Sequence, residues 1–525
     1  MAYFHGVRVS EIPTRIITPV QTTAGLPVVF GTAPVHLAED PEAYANKPVI
    51  CYEYKEAVAA LGYSADWDKY TLCEAMYTEF YLYAVKPIIF VNVLNPKKHK
   101  KSVEVTLDVA SDGTVTVEDP VLLKTLSVAP GSVTYTASTP TMEVEEGSWD
   151  GDGDGDSGTV VSTPAATEPA AGSGTPSAPA VDVDYTAAFD DDGRLIVTII
   201  KDGLLDGQAS LKLSYDCVDP SMVTEADIIG GVDSNGNVTG LELINSIYTM
   251  FSLVPGIIAA PGWTHIPEVA AVMKAKALAI NTIFRCIVLT DVDTEACKRY
   301  SDVNQWKNNN SYTGVNQVVC WPCVRMGSHV YHMSTHIMGI IGVMDAANTD
   351  VPYQSPSNLA MQATGICLKD GTEVSLTLEQ ANLLNSQGIM TALNFIGGWK
   401  SWGNYTGAYP GTTDVKDTFI CVRRMFDWQY QTFILTYWQK VDRPLNKRLV
   451  RSIIDSEQIR LNGLVSREYL LGAEVQFLEE ENPFTDLLAG IFRVHTKLTP
   501  PVPAQDIEDI LEYETSYFKR LFETE

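Results

Sequence analysis

The sequence has few basic residues for its length, and this shortage limits the partners that the chain is expected to bind. Its 525 residues include 37 Lys and Arg but 65 Asp and Glu, so the formal net charge is −28 at pH 7. Such acidity repels nucleic acid and anionic membranes, and a nucleic-acid binder normally carries a basic face. A solvated loop explains the one dense basic run, at 97–101. We therefore expect no nucleic-acid partner.

The sequence also lacks long apolar runs and a disulfide framework. No apolar run approaches the length of a membrane span, and the first residues, MAYFHGVRVSEI, lack the basic, apolar and small-residue succession of a secretory leader. The nine cysteines are scattered without framework spacing. We expect a chain that is made in a reducing cytoplasm and does not insert into membranes.

The motifs that hold nucleotides or activate nucleophiles are missing as well. The sequence contains no G-x-x-x-x-G-K-[ST], no G-x-G-x-x-G after a strand and no G-x-S-x-G elbow. Gly397-Gly398 is too short to cradle phosphate. We therefore expect no cofactor, and neither catalytic, cofactor-binding nor metal residues are predicted.

What the sequence does contain is an alternation of apolar strands and helical periodicity in two stretches, 23–97 and 221–498. The near-continuous apolar runs PIIFVNVL at 87–94, GIIAA at 256–260 and FRCIVLT at 284–290 are typical of strands covered on both faces. Strands that alternate with helices imply a mostly parallel sheet. We predict an α/β core, a mixed sheet flanked by helices.

Residues 98–220 interrupt this pattern. They are rich in Val and Thr, and apolar and polar residues alternate with a period of two, which predicts an inserted, β-rich outer domain. Within it, residues 143–180 form an acidic Gly-Asp repeat and a Pro/Ala/Ser/Thr/Gly tract, with too little apolar surface to become ordered. Two extended arms, 1–22 and 499–525, complete the predicted organisation. The second arm has a stiff PPVP spacer, and an amphipathic helix is predicted over 507–522.

Between the core strands and the second arm, the sequence predicts three helices and two strands. The helices are expected at 419–437, 444–462 and 465–471, and the strands at 474–478 and 491–498.

The sharpest chemical candidate is the pair Cys320 and Cys323, because a C-x-x-C at a helix start can lower a thiol pKa for redox exchange. The surroundings lack a thioredoxin-like active-site turn, which favours two small residues that close a strand. His329, His332 and His336 lie nearby, and a zinc site could combine the last two with Cys323. No glutamate intervenes as in H-E-x-x-H, which favours surface or interface histidines. A thiol- or metal-dependent α/β enzyme is the alternative function.

A calcium loop is a further candidate, since Asp150, Asp152, Asp154 and Asp156 alternate with glycines. The EF-hand pattern needs a glutamate at position twelve, where this chain has Val161, and no flanking helices are evident. A solvated acidic linker is the favoured interpretation, with an acidic calcium-binding module as a third possible function.

The segment from Leu383 to Thr406, LLNSQGIMTALNFIGGWKSWGNYT, indicates architecture and not catalysis. Asn385 and Gly388 suit a turn that ends a helix, because both tolerate the left-handed conformation. Residues 389–395 then run extended, a double glycine follows, and two tryptophans flank a tight corner at Gly403-Asn404. We expect these tryptophans to be packing residues.

This segment resembles the core motif of contractile tail sheath proteins, in which N-x-x-G-I is followed by a W-G-x-x-T corner. Tyr405 departs from the family pattern, where many relatives carry Arg. The resemblance extends over about 1–95 and 220–525, and its modest motifs occur in the family's order: 227–241, 254–262, 348–358, 419–424 and 500–503.

The resemblance implies a structural subunit of hexameric rings that stack helically around an inner tail tube. Contraction of such a sheath drives the tube through a target cell envelope, with no enzyme activity. The implied partners are further copies of the chain, the tube protein, the baseplate and the tail terminator. Assembly is expected in the host bacterial cytoplasm, and the product is the sheath of a virion, a tailocin or a related injection system.

The resemblance also places the contacts between subunits. Strand exchange through the arms keeps neighbours linked while rigid cores move, because main-chain hydrogen bonds survive repacking. The expected linking residues are Gly6, Val7, Val9, Ile12, Ile491, Arg493, Val494, Phe518 and Phe522. The basic residues of the inner helices are expected to contact an acidic tube, namely Lys447, Arg448, Arg451, Arg460 and Arg467.

Overall fold

The computed structural model describes residues 20–21, 24–131, 178–190, 192–412 and 414–521. The described chain divides into two compact units. The larger unit contains the residues up to His99 and those from Asp219 onward, and the smaller unit is Lys100–Val218.

An eight-stranded sheet forms the centre of the larger unit. Its spatial order is β8-β7-β6-β5-β4-β1-β3-β2, with parallel pairing from β7 through β3 and antiparallel strands at both edges. The mixed sheet-and-helix fold that the sequence predicts is confirmed. In chain order the strands are β1 Pro27–Gly31, β2 Pro48–Cys51, β3 Ile88–Asn92, β4 Ile257–Ala259, β5 Ile287–Asp291, β6 Gln317–Cys320, β7 Ile389–Asn394 and β8 Trp399–Trp402.

The central strands are apolar throughout because both of their faces are covered. Every residue of β1, β3, β4 and β5 is buried. The α-helices of the larger unit are α1 Tyr54–Leu61, α2 Thr71–Tyr77, α3 Glu225–Ile229, α4 Ile247–Phe251, α5 Pro267–Ala277, α6 Tyr300–Asn309, α7 Met333–Ala347, α8 Leu378–Asn385, α9 Val415–Thr418, α10 Ile420–Tyr437, α11 Lys447–Ser466 and α12 Phe484–Leu488. A π-helical turn, Thr78–Tyr83, continues α2, and 3₁₀ turns form Val35–Leu37, Pro220–Met222, Gly240–Ser246, Trp438–Lys440 and Glu479–Glu481.

The direction of strand addition reverses between β1 and β4. From β1 the chain adds β3 and β2 on one side, and β4 to β7 then add successively on the other side. Because these strands are parallel from β7 to β3, their carboxyl ends share one edge of the sheet, called here the carboxyl edge.

Smaller sheets surround the large one. A four-stranded antiparallel sheet follows β6 and has the order His329–Tyr331, Cys323–Met326, Gly365–Cys367 and Glu373–Val374. Two-stranded sheets join Val20–Gln21 to Val85–Lys86, and Gly231–Val232 to Val238–Thr239. No helix in the described part of the chain has the length and apolarity needed to cross a membrane.

In its described residues, the smaller unit contains two three-stranded antiparallel sheets and one 3₁₀ turn, Leu123–Thr125. One apolar core takes side chains from both sheets, including Val115, Leu195 and Leu213. The strands of the first sheet are Thr114–Val117, Leu195–Ile199 and Tyr185–Phe189, and those of the second are Lys100–Asp108, Ser210–Val218 and Ser127–Pro130. The predicted calcium loop, Asp150 to Asp156, lies outside the described residues.

The segment from Leu383 to Thr406 has the predicted order of a helix end, a strand, a glycine turn and a corner. Helix α8 ends at Asn385, and Gly388 takes a φ of +67°, whereas Asn385 does not become left-handed. A Cβ at Gly388 would lie 2.5 Å from the carbonyl oxygen of Thr406, so the close approach requires glycine. Trp402 is only half-buried, and its indole N–H donates to Asn382 Oδ1 at 2.9 Å.

The C-terminal part differs from the prediction in three places. The two helices predicted at 444–462 and 465–471 are one helix, α11, which ends at Ser466. It stays continuous because Leu461 and Leu464 are buried in one cluster with Met425 and Val475, so packing overrides the weak helix formers Asn462 and Gly463.

The strand predicted at 491–498 begins only at His495 and forms a hairpin, Gly472–Gln476 with His495–Thr499, called here the C-terminal hairpin. The helix predicted over 507–522 is also wrong for most of its length. Residues 500–514 have no regular structure, and only a 3₁₀ turn, Thr515–Leu521, forms in the described part of that range. A short amphipathic helix gains little stability without a surface on which to bury its apolar side.

Candidate functional site

The structure separates the predicted linking residues into three groups. Gly6, Val7, Val9, Ile12 and Phe522 lie outside the described residues. Ile491, Arg493 and Val494 lie in the loop that enters the second strand of the C-terminal hairpin. Phe518 lies in the terminal 3₁₀ turn.

Contacts within this chain hold the loop before the second hairpin strand in place. The backbone N–H of Arg493 donates to Asn482 Oδ1 at 2.6 Å, and its guanidinium donates to Asp486 Oδ2 at 2.6 Å. Val494 packs on the buried cluster beneath the hairpin. Ile491 keeps half of its surface exposed. The residues that lead into this strand are therefore fixed, while an apolar side chain remains available at the surface.

The C-terminal arm leaves the folded core at the Trp-Gly-Asn corner. Tyr405 Oη donates to Gln505 Oε1 at 2.8 Å, and Gln505 Nε2 donates to Asn404 Oδ1 at 2.9 Å. Tyr405 also stacks on Tyr409, with ring centroids 3.8 Å apart. Tyr405, which departs from the family pattern, therefore helps to anchor the start of the arm.

Beyond Gln505 the arm is exposed along its whole described length. Its apolar side chains reach exposures of 88% at Ile507, 87% at Leu511 and 72% at Leu521. So many exposed large apolar side chains in one segment are unusual on a monomer and indicate an interaction site. More large apolar side chains are exposed on α10 and the turn after it, on α11, on α12 and in the segments around the hairpin: Leu435, Trp438, Val441, Ile459, Leu471, Phe484, Leu488 and Ile491.

The predicted basic residues lie on or just after α11. Lys447, Arg448 and Arg451 are exposed on its first turns, and none has an ion pair within the described chain. Arg467 is exposed just beyond the end of the helix. Arg460 differs, because its guanidinium donates to Glu457 Oε1 at 2.7 Å and lies 5.7 Å from the Trp428 ring. The free basic group is thus concentrated in the first turns of α11.

Cys320 is the last residue of β6, as expected for a small residue that closes a strand, and Cys323 is the first residue of the next strand. Both thiols are buried, and burial followed by the charge of Asp291 raises the pKa of each thiol well above its ordinary value. The thiolate is the reactive form, so this environment opposes redox or nucleophilic chemistry. Among the described residues, no three His, Cys, Asp or Glu side chains are grouped to hold a metal ion.

His332 and His336 are buried within the chain, so the prediction of surface or interface histidines is wrong for both. His332 precedes α7, and its Nδ1 lies 2.7 Å from Glu74 Oε2, while its backbone N–H donates to Glu74 Oε1 at 2.7 Å. His336 Nδ1 lies 2.9 Å from Tyr83 Oη. These contacts join α7 to α2 and its π-helical extension. One feature of the sequence could have indicated such a contact: Glu74 lies among the apolar residues of the helix that contains Leu72.

The charges of Glu74 and His332 shift each other's titration. Burial opposes ionisation of both groups, but the opposite charge and the hydrogen bonds outweigh it. The pKa of Glu74 is therefore lowered and that of His332 is raised. The pair is a buried carboxylate–imidazolium contact that joins distant parts of the chain.

A second buried ion pair ties α7 to α10. Arg424 donates from Nη1 to Asp345 Oδ1 at 2.9 Å, and its other terminal nitrogen also contacts the Asp345 carboxylate. Both side chains are almost completely buried. No local pattern predicts this pair, because its partners are 79 residues apart.

Comparison with known proteins places these features in context. No family model matches the chain. The tail sheath protein of Burkholderia phage BcepMu is 27% identical over 338 residues, which cover 62% of this chain and 69% of that protein. The major tail sheath protein of Serratia phage KSP20 is 24% identical over 308 residues, which cover 56% of this chain and 72% of the relative.

Solved structures share the fold. A chain in the cryo-EM structure of the anti-feeding prophage baseplate aligns with a TM-score of 0.53 at 12% identity, covering 98% of this chain and 100% of its own length. A chain of the anti-feeding prophage helical sheath in its contracted state aligns with a TM-score of 0.50 at 14% identity, with the same coverage of both chains. This chain is a relative of the contractile tail sheath proteins, as its motifs predict, and it shares the fold of a solved sheath subunit.

Proposed function

We propose that this chain is the structural subunit of a contractile tail sheath, which polymerises as stacked hexameric rings around a tail tube. Contraction of the sheath then drives the tube through a target cell envelope. The observation that carries the proposal is the relationship in sequence to curated sheath proteins, together with the fold that spans both the core and the arm.

The exposed arm supports the assembly step. Ile507, Leu511 and Leu521 are apolar and solvated in the isolated chain, and covering them on a neighbour removes this surface from water. The contact is heterologous, since an arm meets a different surface on the next copy, and such contacts generate rings or helical filaments. The arm is tethered by Gln505, so a neighbour can stay linked while the core turns.

The first turns of α11 are proposed as the tube contact. Lys447, Arg448 and Arg451 form a basic group without internal partners among the described residues, on a chain whose net charge is −28. Such a group is suited to an acidic surface, and the attraction weakens with salt. Arg460 is proposed to brace Glu457 on the same helix and not to reach the tube.

Lys100–Val218 is proposed as an outer domain that is inserted into the sheath core. The family resemblance in the sequence omits it, and it forms a compact unit with its own apolar core. Placed on the outside, it would leave the lumen free for the tube. The baseplate and the tail terminator are proposed as partners at the two ends of the polymer.

Electron microscopy of the purified full-length chain tests the assembly proposal. We expect tubes or stacked rings with sixfold symmetry. A chain that stays monomeric at high concentration, with both arms intact by mass spectrometry, would contradict it.

A pull-down with the cognate tube protein at several salt concentrations tests the basic contact. The triple variant Lys447→Gln, Arg448→Gln, Arg451→Gln is expected to bind less tube at low salt and to lose most of the salt dependence. Arg299, an exposed arginine on the larger unit, is replaced by glutamine as the control. Unchanged tube binding by the triple variant would reject this contact while leaving the sheath assignment intact.

A further inference from the structure

A cavity of about 310 Å³ opens at the carboxyl edge of the large sheet. Its lining includes Gly262 after β4, Asp291 at the end of β5 and Cys320 at the end of β6. Thr71, which also lines it, lies against Gly31 at the end of β1. The cavity is thus next to the point between β1 and β4 where strand addition reverses, which is where open α/β sheets bind their ligands. Its volume is at the lower end for small-molecule sites, about 300–1,000 Å³.

A buried imidazole faces this cavity. His332 lines it and is 92% buried, since its exposure is 8%. Nδ1 is engaged by Glu74, whereas Nε2 has no hydrogen-bond partner within the part of the chain that the structure describes. Nε2 is not among the fully enclosed, unpaired polar atoms of the described residues, and His332 lines the cavity. The contact with Glu74 orients this imidazole. Burial opposes its protonation, but Glu74 raises its pKa and so favours the form in which Nε2 donates to a ligand oxygen.

Lys369 supplies a second cation on the same lining. Its Nζ lies 2.6 Å from Asp68 Oδ1, and the Asp68 side chain is 75% exposed. His332 and Lys369 both line the cavity, and the charge of Lys369 acts on His332 and Glu74. A ligand carboxylate in the cavity would face both groups and replace the solvent-exposed Asp68 as the partner of Lys369.

The remaining charged groups on the lining are acidic. Asp293 is partly exposed and Glu295 is exposed. Burial lowers the pKa of His265, although the charges of Asp293 and Glu295 act to raise it. Asp291 is already occupied, accepting from Ser334 Oγ at 2.5 Å and from Thr264 Oγ1 at 3.2 Å. The indole of Trp263 also lines the cavity, and aromatic faces attract organic cations. A simple anion would be repelled by this acidic surround, whereas a molecule with both charges would not.

From these contacts we propose that the cavity binds a small zwitterion of the amino-acid type. Its carboxylate pairs with His332 and Lys369, and its ammonium group faces Asp293, Glu295 and the indole of Trp263. This binding is separate from the proposed sheath role, because the lining includes no residue of the C-terminal arm, α11 or the C-terminal hairpin.

Ligand-observed saturation-transfer NMR on the full-length protein tests the proposal. The probes are glycine, L-serine and L-glutamine, compared with acetate and ethylamine, which each carry one of the two charges. We expect saturation transfer to at least one amino acid at about 10 mM or below, with weaker signals from the two single-charge probes. No transfer to any of the three amino acids would overturn the proposal, and a signal from acetate or ethylamine as strong as that of the amino acids would overturn the ligand class.

The variant Lys369→Met locates the site while leaving the hydrogen bonds of the buried Glu74–His332 pair in place. We expect it to weaken amino-acid binding about tenfold or more, because a charge-assisted hydrogen bond is lost. Lys212→Met, which removes an ion-paired lysine from the smaller unit, is the matched control and should bind normally. Unchanged melting temperatures would show that both variants fold. Equal affinity in Lys369→Met and the wild type would overturn the site, and assembly seen by electron microscopy would be unaffected by either outcome.

Discussion

The large sheet and the C-terminal arm use their apolar residues in opposite ways. In the sheet, strands β1, β4 and β5 are buried at every position, and the Glu74–His332 and Asp345–Arg424 pairs join its surrounding helices. Even the edge strand β8 is covered, since residues 358–361 bond to its backbone. Beyond Gln505, by contrast, large apolar side chains face solvent. The comparison indicates that the residues that stabilise the fold and the residues that we propose for assembly lie in different parts of the chain.

The largest loss of stability is expected from opening the buried pair between α7 and α10. Arg424→Met leaves the Asp345 carboxylate buried and unpaired, which costs roughly 3–5 kcal/mol of unfolding free energy. Denaturant unfolding of a non-assembling background, truncated after Gln505, measures the change. Arg299→Met, at an exposed ion pair with Asp302, is the control and should change stability little. A small effect of Arg424→Met would show that the helices around the sheet are not held by this pair.

Two positions on α11 sharpen the comparison within a single helix. Leu461 is fully buried in the cluster beneath the C-terminal hairpin, whereas Ile459 is 72% exposed. Leu461→Ala should therefore cost about 2–5 kcal/mol of unfolding free energy. Ile459→Ala should change stability by less than about 0.5 kcal/mol. Equal losses in the two variants would contradict the division between a packed and an open face of α11.

A smaller loss is expected at the Trp-Gly-Asn corner. Trp402→Ala removes a half-buried ring and the indole hydrogen bond to Asn382, at a cost of about 1–3 kcal/mol of unfolding free energy. Trp438, at 64% exposure, provides the matched control. If Trp402→Ala unfolds normally but fails to assemble, the tryptophan acts at an interface and the expectation of a packing residue is wrong.

The smallest effect should be a dependence on pH from the Glu74–His332 pair. His332 has a raised pKa, so its contribution is complete below its ordinary value of 6.5 and is lost as the pH rises through the raised value. Glu74 has a lowered pKa, so its contribution is complete above 4.5 and is lost as the pH falls through the lowered value. The pair therefore stabilises most between pH 4.5 and 6.5.

Subtraction isolates this pair from the other titrating groups. The double variant Glu74→Gln, His332→Gln is compared with the wild type by denaturant unfolding at a series of pH values. The stability difference should be greatest within that window and should shrink on either side of it. A difference that does not vary with pH would show that the pair is not ionised in the folded chain.

The sequence predicts the sheet better than it predicts the C-terminal region, for a physical reason. Apolar runs such as 87–94 and 284–290 carry the information for a doubly covered strand locally, and strands form within both runs. The continuity of α11 depends instead on the packing of Leu461 and Leu464. The low helix propensity of Gly463 alone predicts a break there, which is wrong. The helix expected over 507–522 needs a partner surface that the isolated chain lacks.

The contacts of the cavity and of the buried pairs were beyond local inference. Glu74 and His332 are 258 residues apart, and only the fold brings them together. The histidine spacing suggested a shared helix face, but His332 precedes α7 and turns toward α2. The sequence showed that a histidine and a glutamate stand in apolar surroundings, but only the tertiary structure shows that they contact each other.

The most direct test of the account removes the arm while keeping its anchor. A chain truncated after Gln505 retains the hydrogen bonds to Asn404 and Tyr405 but loses the exposed apolar residues. Electron microscopy and denaturant unfolding are then applied to the truncated and full-length proteins. We predict that the full-length chain forms tubes or stacked rings, and that the truncated chain stays monomeric with the fold stability of the core unchanged. Normal polymers of the truncated chain, or its loss of folding, would contradict the separation of stability from assembly.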